Sequence, residues 1–345
     1  LPETESPQEQ EKTKATKNTY ILTDEFVIGQ SGASKELMKQ ILLVAPTAYS
    51  VILMGDSGTG KESVAKAIHL NSPRKDKPFV AMDCGSLTKE LAGSEFFGHE
   101  KGSFTGALYT KIGHFEMANG GTLFLDEVGN LSYDIQAALL RTVQERKIKR
   151  IGSTKEIDLD VRIIVATNEN LQDAISKGKF REDLYHRFNE FAINLPPISQ
   201  RGKDILAFAE SFLQLANQEL NKNIKGFSEE VVDCFLTYNW PGNVRELKNV
   251  VRRATLLTET DEIQLKALPL EISTYAKAPM LASNGSTENT ERSKPRDLKN
   301  AALEAEYETI LKVLREVNFN KTKAAKILNI DRKTLYNKMK AIDLD

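Results

Sequence analysis

The chain has 345 residues and a formal net charge of −1 at pH 7, and 28% of its residues are charged. This length is too great for a single hydrophobic core, so we expect about two or three domains. The balanced charge excludes a globally basic protein that coats nucleic acid, and any affinity for DNA must be local.

Cysteine content and hydropathy narrow the class of protein further. Cys84 and Cys234 lie far apart, without His or Cys neighbours at metal-ligand spacing, which disfavours a disulfide scaffold and a zinc site and favours the cytoplasm. No apolar run approaches the roughly 18 residues of a membrane span, so we expect no membrane partner. Residues 1–20 are polar and are interpreted as a disordered linker stub. Because the numbering opens on Leu1, we expect further sequence upstream.

The first predicted elements surround a glycine-rich loop. A helix is predicted over residues 34–45 and a strand over residues 51–54, followed by a Gly-x4-Gly-Lys segment and a helical pattern over residues 63–68. A loop between a strand and a helix N-terminus lets backbone N–H groups converge on phosphate; an ordinary turn is the alternative. We predict that Lys61 binds the β- and γ-phosphates of a nucleotide. The predicted nucleotide-binding loop consists of Gly55, Asp56, Ser57, Gly58, Thr59, Gly60, Lys61 and Glu62.

A second strand, predicted over residues 79–83, is followed by a stretch with glycines around an aromatic residue. Gly102 and Gly106 flank Phe104 and Thr105. An exposed Phe is unfavourable unless a partner covers it, so the pattern predicts a mobile hairpin tip that binds another molecule. A buried Phe104 is the alternative.

The remaining predicted strands cover residues 122–125 and 161–166, and the first of them runs into Asp126 and Glu127. Glu62 occupies the position where the general loop pattern has a Mg²⁺-binding Ser or Thr, so the metal requires another carboxylate. We predict that Asp126 orients Mg²⁺ through water and that Glu127 polarises the attacking water. Two solvated acids at an ordinary strand end are the alternative. Apolar strands separated by helices predict a parallel sheet with ligands at its carboxyl edge.

Polar residues further along the chain also suit a nucleotide enzyme. Asn168 follows the fourth strand, where its amide could sense the γ-phosphate. Arg181 and Arg187 flank a short helical segment, and Arg245 stands at the start of another helix. Each arginine could form a surface salt bridge worth little, or could stabilise the charge of a phosphoryl group during transfer.

After Pro196 and Pro197 the sequence is predicted to be wholly helical, with helices over residues 204–220, 228–238 and 243–257. We expect a small helical domain that packs against the sheet domain, with Arg245 reaching the nucleotide. Closure of the two domains on ATP would couple the chemistry to motion. Residues 273–296 are polar and punctuated by Gly, Pro and Ser, which predicts a flexible linker.

The last segment concentrates positive charge. A long amphipathic helix over residues 298–317 is followed by a short helix over residues 321–328 and, after a turn at Asp331, by a basic helix over residues 332–340. The pattern predicts a helix-turn-helix whose last helix enters the major groove; a solvated basic face on a small bundle is the alternative. The long helix is a candidate dimer interface. The candidate DNA-binding residues are Lys321, Lys323, Arg332, Lys333, Thr334, Tyr336, Asn337 and Lys338.

These motifs occur together in one order, and residues 24–345 resemble the NtrC-type, sigma-54-dependent transcription activators. Residues 55–62 resemble the Walker A loop of that family, which ends in Lys-Glu, and residues 122–127 resemble its Walker B strand. Residues 102–107 resemble the signature loop that touches sigma-54. Thr167 with Asn168 resembles sensor I, and the last fifty residues resemble a Fis-type DNA-binding domain. The arginines that match the two trans-acting fingers and sensor II are Arg181, Arg187 and Arg245.

The resemblance implies an α/β AAA+ P-loop NTPase with a helical lid subdomain, followed by an all-α helix-turn-helix domain. We expect the sheet subdomain at residues 21–195, the lid at 196–272, the linker at 273–296 and the DNA-binding domain at 297–345. ATP and Mg²⁺ are the implied cofactors. The DNA-binding domain implies a dimer, and the active form implies a hexamer or heptamer.

The resemblance also implies the activity. The protein would bind double-stranded DNA upstream of a promoter and use ATP hydrolysis to open the closed complex of sigma-54 RNA polymerase. The implied sigma-54 contacts are Gly102, Ser103, Phe104, Thr105, Gly106 and Ala107. A nucleotide-gated DNA-binding regulator that does not remodel sigma-54 is the alternative, and the intact Phe104-Thr105 tip favours the first function.

The chain departs from the family pattern at three positions. Ser103 replaces the usual Ala of the signature loop, a small change that we expect to be tolerated, and Asp56 replaces the usual Glu of Walker A. Asp83 stands where many members carry an Asn that pairs with the Walker B Glu. Because Asp83 and Glu127 would repel each other unless a proton or water mediates, coupling between phosphate sensing and loop movement could be altered.

Overall fold

The computed structural model describes residues 29–202, 204–275, 310, 313, 321–332 and 334–335. This part of the chain divides into two compact units. The first, called the sheet unit, comprises Glu36–Gly55 and Gly60–Leu195. The second, called the helical unit, comprises Asp56–Thr59 and the described residues of Val27–Lys35 and Pro196–Asp345. The tip of the predicted phosphate loop therefore groups with the helical unit, whereas its two ends group with the sheet unit.

The chain from residue 32 to residue 194 alternates helices with strands, as the sequence predicts. The helices are α1 (Gly32–Val44), α2 (Lys61–Leu70), α3 (Lys89–Phe97), α4 (His114–Met117), α5 (Tyr133–Glu145), α6 (Leu171–Ser176) and α7 (Glu182–Phe188). The strands are β1 (Val51–Met54), β2 (Phe79–Asp83), β3 (Thr122–Asp126), β4 (Lys147–Lys149), β5 (Glu156–Asp158), β6 (Arg162–Thr167) and β7 (Phe191–Asn194).

Five of these strands form one parallel sheet in the order β2-β3-β6-β1-β7. The central strands β1, β3 and β6 consist almost wholly of buried apolar residues, which is typical of parallel strands covered on both sides. The register pairs Met54 with Thr167 and Asp83 with Asp126. The carboxyl ends of the strands thus share one edge of the sheet, and this edge carries the predicted polar residues. The prediction of a parallel sheet is confirmed.

A buried arginine fixes α1 to the opposite edge of the sheet. Arg162, the first residue of β6, is 3% exposed. Its guanidinium donates to the carbonyls of Ala45 at 2.7 Å, Val44 at 2.8 Å and Tyr49 at 3.3 Å. Burial, with a smaller contribution from Arg74, lowers the pKa of Arg162 to about 10, so the group stays charged at neutral pH. The cation therefore satisfies carbonyls at the C-terminus of α1, where the helix leaves them unpaired.

Three strands of this unit escaped the sequence prediction. The edge strand β7 has only four residues, and β4 pairs with β5 in an antiparallel hairpin of three residues each. Such short segments carry too little alternation of apolar and polar residues to be recognised from the sequence. The hairpin adjoins the predicted tip, because His99 forms isolated bridges with Lys111 and with Ile151.

The helical unit contains α8 (Asp204–Leu220), α9 (Glu229–Thr237), α10 (Asn243–Leu257) and α11 (Leu270–Ser273). Its core includes Phe212, Phe235, Trp240 and Val251. The prediction that this region is wholly helical was wrong, since β8 (Gly226–Phe227) pairs in parallel with β9 (Glu262–Ile263). Two residues per strand leave no periodic signal in the sequence.

One carboxylate ties the N-terminal segment of the helical unit to α8. Asp204 is 3% exposed and accepts hydrogen bonds from the backbone N–H groups of Gln30 and Ser31, both at 2.7 Å. The hydroxyl groups of Ser31 and Ser34 donate to the same side chain. Burial alone would raise the pKa of Asp204, but these hydrogen bonds outweigh it and the pKa is lowered. The carboxylate is therefore ionised at neutral pH.

The described residues of the C-terminal segment include α12 (Lys321–Ile327). Ile310, Ala324, Ala325 and Leu335 are buried together. The predicted turn after the short helix is present, because the Asp331 carboxylate accepts hydrogen bonds from the Thr334 backbone N–H at 2.8 Å and from its hydroxyl at 2.5 Å. Most of the predicted long helix over residues 298–317, the stub over residues 1–20 and residues 276–296 of the predicted linker lie outside the described residues. No helix in the described ranges has both the length and the apolarity to cross a membrane.

Candidate functional site

The predicted phosphate loop joins the central strand β1 to α2. Gly55 donates its N–H to the carbonyl of Thr167 at 3.3 Å, which continues the ladder of β1 with β6. Gly60, with φ of 96°, precedes α2, and Lys61 is 8% exposed at the first position of that helix. The Lys61 ammonium donates to the Gly55 carbonyl at 2.8 Å and so spans the base of the loop. Lys61 is thus held where it can exchange this carbonyl for a phosphate oxygen.

The tip of the loop, Asp56–Thr59, adopts a conformation that requires glycine at position 58. Gly58 has φ of 78°, and a Cβ atom there would lie 2.4 Å from the Gly242 carbonyl oxygen. The Thr59 hydroxyl closes the turn by donating to the Asp56 carbonyl at 2.8 Å. The Arg245 guanidinium donates to the Ser57 hydroxyl at 3.2 Å. Two predicted nucleotide-binding residues, Ser57 and Arg245, are therefore neighbours within the helical unit.

The predicted acids lie at the carboxyl ends of β2 and β3. Asp126 ends β3 opposite Asp83, and its carboxylate accepts a hydrogen bond from the Glu127 backbone N–H at 2.9 Å. Glu127 has φ of 54°, an unusual backbone conformation for a residue other than glycine, and such strain is concentrated at functional sites. The N–H of Gly85 donates to Asp83 at 2.8 Å. Two of the carboxylates thus have backbone donors of their own.

An asparagine that the sequence analysis did not single out holds the Glu127 side chain. The Asn130 amide donates to Glu127 Oε2 at 2.9 Å. A Cβ atom on Gly85 would lie 2.2 Å from that Glu127 oxygen and 3.2 Å from both Asn130 Nδ2 and Asp83 Oδ1. The three side chains therefore converge on Gly85. The Glu127 carboxylate thus has its hydrogen-bond partner at Asn130 and not at position 83. This neutral donor offsets the repulsion expected between Asp83 and Glu127.

The same edge of the sheet concentrates negative charge. Burial, followed by the charges of Asp83, Asp126 and Glu127, raises the pKa of the neighbouring Cys84 thiol. Mg²⁺ in nucleotide sites is held by one or two carboxylates together with waters and phosphates, and Asp126 with its neighbours fits that requirement. No cluster of three or more His, Cys, Asp or Glu side chains suited to a metal occurs among the described residues.

Asn168 extends the same edge. It follows β6 immediately after Thr167, whose register partner is Met54 at the end of β1. The Thr167 hydroxyl accepts from the Glu169 N–H at 3.0 Å, which fixes the turn beyond the strand and leaves Asn168 exposed. The amide predicted to sense the γ-phosphate thus stands on the strand adjacent to the one that feeds the phosphate loop.

The two predicted arginine fingers have different surroundings. Arg181 forms a two-point ion pair with Asp183, at 3.0 and 2.7 Å, and its guanidinium lies 5.1 Å from the centre of the Tyr133 ring. The hydrogen bond to Asp183 raises the pKa of Arg181. The Arg187 side chain is half-buried, and no hydrogen bond or ion pair joins its guanidinium to another residue in the described part of the chain. It lines a cavity of about 310 Å³ with Arg74, Arg146 and Arg162. Arg187 is therefore the more available cation.

The predicted tip, residues 102–107, is a closed turn. Gly102 donates to the Ala107 carbonyl at 2.8 Å, and Ala107 donates to the Phe104 carbonyl at 3.0 Å. Phe104 is 43% exposed and meets the ring of His99 edge-on at 5.0 Å, so the alternative of a fully buried side chain does not hold. His99 is itself held by Ser94, whose hydroxyl lies 2.7 Å from Nδ1. The hydroxyl of Ser103 is buried without a hydrogen-bond partner, so replacement of Ala by Ser carries a cost that the sequence did not indicate.

The described part of the candidate DNA interface presents its charge to solvent. Lys323 and Arg332 are exposed, and Lys321 and Thr334 are partly exposed. The other candidates, Lys333, Tyr336, Asn337 and Lys338, lie outside the described residues.

Three family models match the chain. The Sigma-54 interaction domain matches residues 27–194, the AAA+ ATPase lid domain matches residues 199–283, and the bacterial regulatory protein, Fis family, matches residues 302–341.

Individual proteins match over most of the chain. The transcriptional regulatory protein ZraR of Escherichia coli (strain K12) is 44% identical over 313 residues, which are 91% of this chain and 68% of that protein. The nitrogen fixation protein AnfA of Azotobacter vinelandii is 48% identical over 248 residues, which are 72% of this chain and 46% of that protein. The crystal structure of NtrX from Brucella abortus in complex with ATP is similar with a TM-score of 0.66 and 30% identity, covering 92% of this chain and 70% of that one.

The geometry around Asn130 generates a test. Asn130→Asp would place a third carboxylate beside Asp83 and Glu127 and remove the donor to Glu127, so we expect ATP turnover to fall by at least about tenfold. Steady-state phosphate release measures this. Asn170→Asp is the matched control: Asn170 caps α6 through its side-chain oxygen, which Asp supplies equally well. Equal turnover in wild type and Asn130→Asp would contradict the role assigned to Asn130.

Proposed function

The chain belongs to the family of sigma-54-dependent transcriptional activators, and on that premise we propose that it hydrolyses ATP to convert the closed complex of sigma-54 RNA polymerase into an open one. The observation that best supports this function is the joint placement of the phosphate loop and the Asp126-Glu127 pair at one edge of a parallel sheet. Asn130 orients the second of these acids. The exposed tip around Phe104 supplies the surface that acts on the polymerase.

The residues at the carboxyl edge of the sheet have separate roles in ATP hydrolysis. The backbone N–H groups of the loop and the Lys61 ammonium bind the β- and γ-phosphates. Glu127, oriented by Asn130, accepts a hydrogen bond from the attacking water. The oxygen of that water bonds to the γ-phosphorus as the bond to the bridging β-γ oxygen breaks, which yields ADP and inorganic phosphate. Asp126 would hold Mg²⁺, which would supply positive charge to offset the charge of the phosphates. Asn168 reports whether the γ-phosphate is present.

A continuous segment leads from the acids to the tip. Asp83, at the end of β2, contacts Gly85 through a hydrogen bond, and the Glu127 carboxylate packs against Gly85. From there the chain runs through α3 to His99, which holds Phe104. A change in the position of Glu127 on hydrolysis therefore has a short path through α3 to the tip, and Phe104 with Thr105 would press on sigma-54.

We propose an active ring, a hexamer or heptamer, in which each subunit supplies an arginine to the nucleotide of its neighbour. The free guanidinium of Arg187 suits this role, whereas Arg181 would first have to exchange its ion pair with Asp183 for a phosphate. The Fis-type segment binds double-stranded DNA, and we propose that it does so as a dimer at a site upstream of the promoter. We propose that the sheet subdomain ends at residue 195, the lid at residue 272 and the linker at residue 296.

The tip generates a test of coupling. Thr105→Ala removes one exposed hydroxyl from a turn that backbone hydrogen bonds close, so we expect ATP turnover within about twofold of wild type. Open-complex formation on a sigma-54 promoter, measured by reactivity of unpaired thymines to permanganate, should be lost. Thr105→Ser, which keeps the hydroxyl, is the control and should retain open-complex formation. Normal promoter opening by Thr105→Ala would refute the role of the tip.

The arginines generate a test of assembly. Lys61→Ala lacks the phosphate-binding ammonium and Arg187→Ala lacks the proposed finger, so each alone should hydrolyse ATP at least about a hundredfold more slowly than wild type. Because an intact Arg187 on the first variant can serve the intact loop of the second, a mixture should regain part of the activity. Light scattering would measure whether both variants still assemble. Catalysis between subunits would be contradicted if the mixed assemblies had no ATPase activity. It would also be contradicted if dilution of the wild type to monomer left the turnover per subunit unchanged.

A further inference from the structure

Three successive carbonyl groups of the phosphate-loop tip each accept a hydrogen bond from the helical unit. Asn243 Nδ2 donates to the Ser57 carbonyl at 3.1 Å. The backbone N–H of Arg245 donates to the Gly58 carbonyl at 3.2 Å, and the Arg201 guanidinium donates to the Thr59 carbonyl at 3.3 Å. All six residues belong to the helical unit. We call these three donors the carbonyl clamp.

The carbonyl clamp follows from what an anion-binding loop requires. Such a loop turns its backbone N–H groups toward the phosphates, so its carbonyl groups point away from them. A buried carbonyl without a donor is unfavourable, and a loop that lacked these donors would rotate its peptide groups to find others. The Thr59 N–H donates to the Asp56 carbonyl at 3.4 Å, and the clamp thus stabilises the conformation in which the N–H groups of residues 57 and 58 remain available to an anion.

Asn243 is the member of the clamp that uses a neutral side chain, and its surroundings fix that side chain completely. It is 2% exposed, and its Oδ1 accepts the N–H of Ile198 at 3.0 Å. Because Oδ1 faces a donor, the amide nitrogen must face the Ser57 carbonyl. Its backbone has φ of 53°, a left-handed conformation that Asn and Gly tolerate better than other residues. The backbone conformation and the side chain of Asn243 therefore both suit its hydrogen bonds to Ile198 and to the Ser57 carbonyl.

We propose that Asn243 is a positioning residue for nucleotide binding: by holding the Ser57 carbonyl, it keeps the phosphate loop in its anion-binding conformation. This inference rests on the proposed ATPase function, and it assigns to Asn243 no contact with the nucleotide itself. It differs from the role expected of Arg245, whose guanidinium would touch the nucleotide, since Asn243 acts through the loop backbone. Phosphate affinity thereby depends on the helical unit as well as on the residues of the loop.

Two substitutions distinguish the hydrogen bond between Asn243 and the Ser57 carbonyl from other effects of Asn243. Asn243→Gly keeps the left-handed backbone and removes both side-chain hydrogen bonds. Asn243→Asp keeps the acceptor for Ile198 and loses the donor to Ser57. Both should raise the dissociation constant for ATP, measured by titration with a fluorescent ATP analogue on the full chain, by about fivefold or more. The Michaelis constant for ATP should rise in parallel, while kcat at saturating ATP should stay within about twofold.

A stability control distinguishes positioning from general damage to the helical unit. Val251→Ala removes two methyl groups from a fully buried position in the same core, away from the loop. It should lower the melting temperature at least as much as Asn243→Gly and leave the affinity for ATP unchanged. Equal loss of affinity in Val251→Ala would show a merely structural effect and overturn the inference.

The remaining outcomes are also decisive. If Asn243→Gly binds ATP as tightly as wild type while Asn243→Asp does not, the added charge accounts for the loss and the clamp has no role. If both variants bind ATP normally, the inference fails while the proposed ATPase function stands. A wild-type chain that does not bind ATP would instead refute the proposed function, and the inference with it.

Discussion

A backbone that binds an anion must turn its N–H groups toward the charge, and its carbonyl groups then need donors from elsewhere in the molecule. In this chain the donors come from Arg201, Asn243 and Arg245. The tip of the loop therefore groups with the helical unit, although its ends continue β1 and begin α2 in the sheet unit. One loop of eight residues thus contains residues of both units.

The second requirement of the site is the control of negative charge. Asp83, Asp126 and Glu127 gather at the ends of two adjacent strands, and their charges add to burial, the larger cause, in raising the pKa of the Cys84 thiol. Backbone N–H groups hold Asp83 and Asp126, and the Asn130 amide holds Glu127. The acids are therefore orientated before a cation or nucleotide arrives. Such an arrangement lowers the reorganisation needed during phosphoryl transfer.

The sequence alone predicted the parallel sheet because β1, β3 and β6 contain apolar runs that are followed by polar residues. It missed β7, the β4–β5 hairpin and the β8–β9 pair because these segments have only two to four residues and, unlike the wholly apolar β1, most of them mix apolar and polar residues. Within the candidate site, the phosphate loop and the acid pair could be predicted because their residues are consecutive. Asn130 and Asn243 were missed because their roles depend on hydrogen bonds, and Asn243 lies 186 positions from its partner Ser57. The Pro241-Gly242 pair before Asn243 could have predicted only the turn.

Phosphate bound at the loop should alter the tip around Phe104. Hydrogen–deuterium exchange at the amides of residues 102–107, compared between ADP and ADP with a metal fluoride that mimics the transferring phosphoryl group, tests this most directly. We expect amide protection at the tip of the wild type to differ by at least about tenfold between ADP and ADP with the metal fluoride. We expect no difference in Lys61→Ala. Identical exchange at the tip in both states, with nucleotide binding confirmed, would contradict it.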